Sequence, residues 1–135
     1  MAMEDEHRLS SRRAAEIIRR EVARGDLDFA FRVMTRAVAD FRDTSPENRE
    51  DFLVPPKSTG SLRWDTLLAA VIGRECDRFG MPRPTWTTPR PLAEEWVVTT
   101  LPAPSEQWLA RIRAGTPEDF SRLRLWVHAR DLETL

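Results

Sequence analysis

Prolines divide this chain. Seven of its ten prolines, at positions 82, 84, 89, 91, 102, 104 and 117, fall in a thirty-six-residue stretch. Proline fixes φ and has no N–H to donate, so no long helix crosses that stretch. The first eighty residues have the opposite character, with apolar side chains recurring at i, i+3, i+4 and i+7. The sequence therefore predicts two regimes, long amphipathic helices first and short irregular elements after.

Three helices follow from the periodic part. Ala14, Ile17, Ile18 and Val22 form one stripe after Ser10 and Ser11, and Gly25 ends it. Asp26 is placed to cap a second helix with the stripe Leu27, Ala30, Phe31, Met34, Ala37, Val38 and Phe41. A break of this length between two amphipathic helices implies an antiparallel hairpin. Ser45-Pro46-Glu47 opens a short helix to about Leu53, and residues 54–60 read as a loop. Ser61 caps the third long helix, whose stripe is Trp64, Leu67, Leu68, Val71, Ile72, Cys76 and Phe79, with Gly80 as the stop.

Beyond Gly80 the elements are short. The pattern predicts a short helix over 91–96, an extended piece over 96–99, and a helix capped by Ser105 that carries Trp108, Leu109 and Ile112. Thr116-Pro117-Glu118-Asp119 resembles a capping box. Residues 125–127 read as extended and 130–135 as helical. The fold class is mainly α: one domain over 1–135, with a helical hairpin, a third long helix, and a proline-rich half of short helices with a short extended segment. Residues 1–9 read as frayed and 80–104 as irregular.

Composition narrows the function. With 135 residues, 41% hydrophobic and 32% charged, the chain is a globular domain. Its net charge of −1 gives no bulk attraction to nucleic acid or anionic membranes. The apolar runs are too short to span a bilayer, and the acidic start MAMEDEHRLS lacks the apolar region of a secretory signal. Cys76, the single cysteine, has no internal disulfide partner. These features point to a cytoplasmic protein. Among 21 basic residues all but Lys57 are Arg, a bias that suits paired-carboxylate contacts at interfaces and that GC-rich coding also produces.

Catalytic constellations are sparse. His7 and His128 stand far apart in sequence, and no metal-ligand spacing or glycine-rich phosphate loop occurs, so neither metal nor cofactor is expected. A Cys76–His128 nucleophilic pair is the one enzymatic option, set against Cys76 lying on an apolar stripe. The carboxylate pairs Asp26/Asp28 and Glu118/Asp119 sit at helix starts, where the macrodipole favours them. Glu94/Glu95 lies in the irregular half beside Trp96.

Binding surfaces carry more signal. Arg8, Arg12, Arg13, Arg19, Arg20 and Arg24, set against Glu16 and Glu21, form a basic solvent face on the first helix. That face suits solvent, an acidic protein partner or, as the alternative function, DNA recognition by a regulator. Trp86, Trp96, Trp108 and Trp126 are spread through the short elements, either pinning loops or meeting a partner. The candidate partner-contact residues are Arg12, Arg13, Arg19, Arg20, Trp86, Glu94, Glu95 and Trp96.

Certain residues carry a family resemblance. They are Trp64-Asp65 opening a Leu/Ala-rich helix, then Gly80, Pro82 and Trp86, Leu92 and Trp96, Pro117 and Phe120, and finally Val127, Ala129, Arg130, Leu132 and Glu133. From about Ala14 onward the chain resembles a bacterial domain of antitoxins and Xre-type transcriptional regulators. The resemblance implies a non-enzymatic antitoxin that binds and neutralises a cognate toxin, of a nucleotidyltransferase-like kind, by blocking its active cleft. An interface of about 800 Å² per partner is enough for that, and Arg side chains suit the metal-binding carboxylates of such a toxin. The chain departs from longer members in lacking a recognisable DNA-binding module.

Overall fold

The computed structural model describes residues 8–99 and 104–133, and His7 lies outside them. Helix α1 spans Ser11–Ala23, and the Ser10 hydroxyl accepts from the Arg13 N–H at 3.1 Å. Gly25 turns the chain with φ +80°, a left-handed conformation that glycine adopts without a Cβ clash. Helix α2, Leu27–Asp43, starts at once, with the Asp26 carboxylate accepting from the Phe29 N–H at 3.0 Å. Ala14, Ala15 and Ile18 of α1 and Ala30, Met34, Ala37 and Phe41 of α2 are all buried where the two helices pack. Leu9, expected within a frayed end, donates its N–H to buried Asp40 at 2.8 Å.

A 3₁₀ turn, Pro46–Phe52, closes the hairpin's far end. Its Phe52 meets Phe41 edge-on with ring centroids 5.2 Å apart, and its carbonyl accepts from the Ser11 hydroxyl at 2.6 Å. The 54–60 loop is tied down by Asp65, which accepts from the Ser58 hydroxyl and from both the N–H and hydroxyl of Thr59 at 2.6–2.7 Å.

Helix α3, Leu62–Arg78, is the centre of the fold. The sequence predicts a one-sided stripe, yet every residue from Thr66 to Gly73 is buried. A helix buried all round is covered on both faces. Here the second cover is the proline-rich segment, whose 3₁₀ turn Thr85–Thr87 packs on α3. Small residues permit the approach: a Cβ on Gly73 would lie 2.9 Å from both the Thr87 carbonyl oxygen and the Arg83 guanidinium. Phe79, placed on the stripe by sequence, is instead 38% exposed and lies beneath the Arg49 guanidinium, 4.0 Å from its ring centre. It caps the helix where the buried stripe has already ended.

The Asp77–Arg83 pair clamps this cover to α3 through two hydrogen bonds, one of them Nε to Oδ1 at 2.9 Å. These bonds hold the Asp77 carboxyl below its usual range. A depressed carboxyl stabilises the fold above its unfolded-state pKa and loses that contribution as pH falls through the folded value. Because Asp77 is largely exposed, the contribution is at most about 1 kcal/mol. Asp77→Asn is therefore expected to lower stability slightly in urea at pH 6 and to match the native chain at pH 2. Equal stability at both values would remove the clamp from the account.

Two short parallel strands, β1 (Trp96–Val97) and β2 (Leu125–Trp126), pair Trp96 with Leu125 and Val97 with Trp126. Parallel pairing needs a crossover. It is supplied by α4 (Glu106–Gly115) and α5 (Glu118–Ser121), and α6 (Ala129–Glu133) follows. Two local expectations are corrected. Residues 91–95 are not helical, because the Leu92 N–H goes to the Leu123 carbonyl and the Ala93 carbonyl is held by Arg124. Thr116 forms no capping box, since its hydroxyl turns back to the Ile112 carbonyl at 2.7 Å and closes α4. The result is a mainly α domain.

Candidate functional site: an aromatic groove

Helical spacing builds one wall of a groove. Leu27, Phe31 and Thr35 lie at i, i+4 and i+8 on α2, and Asp28 and Arg32 lie beside them. Trp108 and Ile112, again four apart, line it from α4, and Arg130 and Asp131 from α6. Trp96, Val98 and Thr99 complete it from β1 and the residues after it, with Trp64 of α3 beneath. The groove is half open to solvent, with a volume of about 820 Å³.

Depth and chemistry are both defined. Trp64, Val98 and Ile112 are 5%, 7% and 4% exposed, so the floor is part of the core. Trp64 and Trp96 meet edge to face with centroids 5.3 Å apart, the arrangement their quadrupoles favour. Leu27 and Trp108 at the mouth are 44% and 39% exposed. Asp28 and Arg32 pair at 3.3 Å on one side, with Arg130 and Asp131 on another. Arg63 lies over Trp96 at 5.9 Å.

A tight joint holds two walls together. His128 precedes α6, and its Nδ1 accepts from the Arg130 N–H at 3.1 Å. Its ring lies on the last residue of α4, so a Cβ on Gly115 would sit 2.2 Å from the imidazole. Gly115→Ala must displace the ring and disturb its bond to the Arg130 N–H. An overpacked site of this kind costs about 1–3 kcal/mol, and the urea midpoint is expected to fall accordingly. An unchanged midpoint would show that the joint yields freely.

The partner-contact residues read from sequence do not gather at this groove. Trp96 lines it. Trp86 is half-buried and donates its indole N–H to the Leu53 carbonyl at 2.8 Å, so it pins the proline-rich cover. Glu94 and Glu95 are exposed, and Glu95 pairs with Arg113 at 3.1 Å. Arg12, Arg13, Arg19 and Arg20 are exposed on α1, where Arg13 pairs with Glu16, Arg20 approaches buried Glu21, and Arg19 reaches the Ser58 carbonyl. Sequence reasoning missed Leu27, Phe31 and Ile112 as site residues, and left Trp108 out of the contact set although it was one of the four tryptophans weighed for a partner. Their helical spacing is legible, but that four helices and a strand converge on one space is not.

The nucleophilic option weakens on geometry. Cys76 is fully buried, and burial pushes its thiol above the usual value, against thiolate formation. The His128 ring is engaged elsewhere, by Gly115 and Arg130. Among the described residues no cluster of three or more His, Cys, Asp or Glu is placed to hold a metal, and no helix is long and apolar enough to cross a membrane. No family model, curated protein or solved structure matches this chain.

Proposed function

We propose that this chain is a non-enzymatic protein-binding module that seats its partner on the aromatic groove. The single observation carrying this reading is the placement of half-exposed Leu27 and Trp108 at the mouth of a tryptophan-lined cleft flanked by arginines. Tryptophan and arginine dominate interface hot spots, and a desolvated pocket ringed by polar groups is where such hot spots lie. The more specific form of the proposal comes from the resemblance above. The partner is a toxin, of a nucleotidyltransferase-like kind, and the chain neutralises it in the cytoplasm by covering its active cleft. The exposed arginines of α1 form a second contact surface, complementary to acidic groups.

The test is co-purification with the product of the neighbouring gene, combined with growth of cells expressing that gene with and without this chain. A stable complex and restored growth are the expected results. If the neighbouring product is neither bound nor toxic, the antitoxin role is withdrawn. Salt-sensitive DNA binding by the chain alone would move the function to the basic face of α1.

A further inference from the structure

We infer that the aromatic groove is also a small-molecule site, and that its ligand is a planar, uncharged aromatic compound. Three observations converge on that class. First, the groove's volume of about 820 Å³ lies within the roughly 300–1,000 Å³ of small-molecule pockets. The floor of Trp64, Val98 and Ile112 belongs to the core, which makes the space a pocket and not a flat apolar patch.

Second, the walls are aromatic from several directions. Phe31 comes from α2, Trp96 from β1 and Trp108 from α4, and Trp64 rises from below. Aromatic rings prefer offset-stacked or edge-to-face partners, so a planar ring gains pairing from such walls beyond its burial. A flexible aliphatic chain gains burial alone from the same walls.

Third, the charges at the mouth balance. Arg32 and Asp28 lie on α2, and Arg130 and Asp131 on α6, giving two cations and two anions. An anion meets Asp28 and Asp131 as it meets Arg32 and Arg130, and a cation meets the reverse. Neither sign gains a net attraction at the mouth, and a charged ligand still gives up its hydration to enter the apolar cleft, so an uncharged one is favoured.

The experiment titrates the full-length chain with uncharged N-phenyl-1-naphthylamine, and separately with the anion 8-anilino-1-naphthalenesulfonate, following dye emission and tryptophan quenching. Saturable one-to-one binding of the uncharged dye is expected, at least tenfold tighter than the anion. Trp108→Ala removes a wall at a half-exposed position, and Leu27→Asp sets an unpaired charge at the apolar mouth. Each is expected to weaken binding at least tenfold with an unchanged circular dichroism spectrum. Non-saturable binding, preference for the anion, or affinity indifferent to both variants would overturn the inference. If no dye binds while Trp108→Ala still breaks the partner complex, this inference fails and the protein-binding reading stands.

Discussion

Replacing Arg42 with Ala is expected to cost about 3 kcal/mol of stability, more than any exposed ion pair contributes. Glu75 on α3 is 2% exposed, and Arg42 on α2 meets it with two hydrogen bonds of 2.7 and 3.1 Å. Removing one member of a buried pair strands the other charge, at about 3–5 kcal/mol. The lower end applies here, because Arg42 is 27% exposed and Arg78 remains 3.6 Å from the same carboxylate. The pair itself is not what stabilises the helix packing. The double replacement Arg42→Met with Glu75→Leu is therefore expected to lie within about 1 kcal/mol of the native chain. Urea denaturation of Arg42→Met, Glu75→Leu and the double variant reads the coupling directly. Additive losses would mean that the two side chains act independently.

Phe41→Ala is expected to be the most damaging core substitution, at about 3–5 kcal/mol. Phe41 is fully buried and stands between three elements. It packs edge-on against Phe52 of the 3₁₀ turn and lies 5.9 Å from Phe79 at the end of α3. Arg49 stacks on Phe79 and donates to the Phe41 carbonyl at 3.1 Å, which binds the turn to the same cluster. Truncation leaves a cavity that none of these rings fills without losing its own partner. A loss below about 1.5 kcal/mol would show that the turn collapses into the space.

The long helices were legible because local chemistry decides them. Asp26 and Ser61 have the capping side chains, Gly25 has the freedom to adopt positive φ, and the stripes of α1 and α2 have the right period. The centrality of α3 was not legible. Ala69, Ala70 and Gly73 lie off the apolar stripe read from sequence, yet all three are buried, Gly73 against Arg83 and Thr87 of the proline-rich segment. Residues 91–95 and Thr116 were misread on their hydrogen-bond partners. The polar groups of residues 91–95 bond to Leu123 and Arg124, far along the chain, and the Thr116 hydroxyl takes the i−4 bond to Ile112 that competes with capping.

The site followed the same division. The exposure of the α1 arginines was readable from their helical face. Trp86 and Trp96 looked alike in sequence, two tryptophans among prolines. The structure separates them, one bonded to Leu53 and one lining the groove. Which tryptophan meets a cavity depends on how α2, α4 and α6 converge, and that is a property of the assembled core.

The measurement that bears most directly on the groove is the affinity of the partner complex for Trp108→Ala, with Glu94→Ala as a control away from the cleft. Truncating a hot-spot tryptophan costs about 2 kcal/mol or more, a loss of roughly thirtyfold. The groove account predicts that loss for Trp108→Ala and native affinity for Glu94→Ala, with both variants folded. Native affinity for Trp108→Ala would contradict it and move the interface to another face, with the α1 arginines the first to be tested.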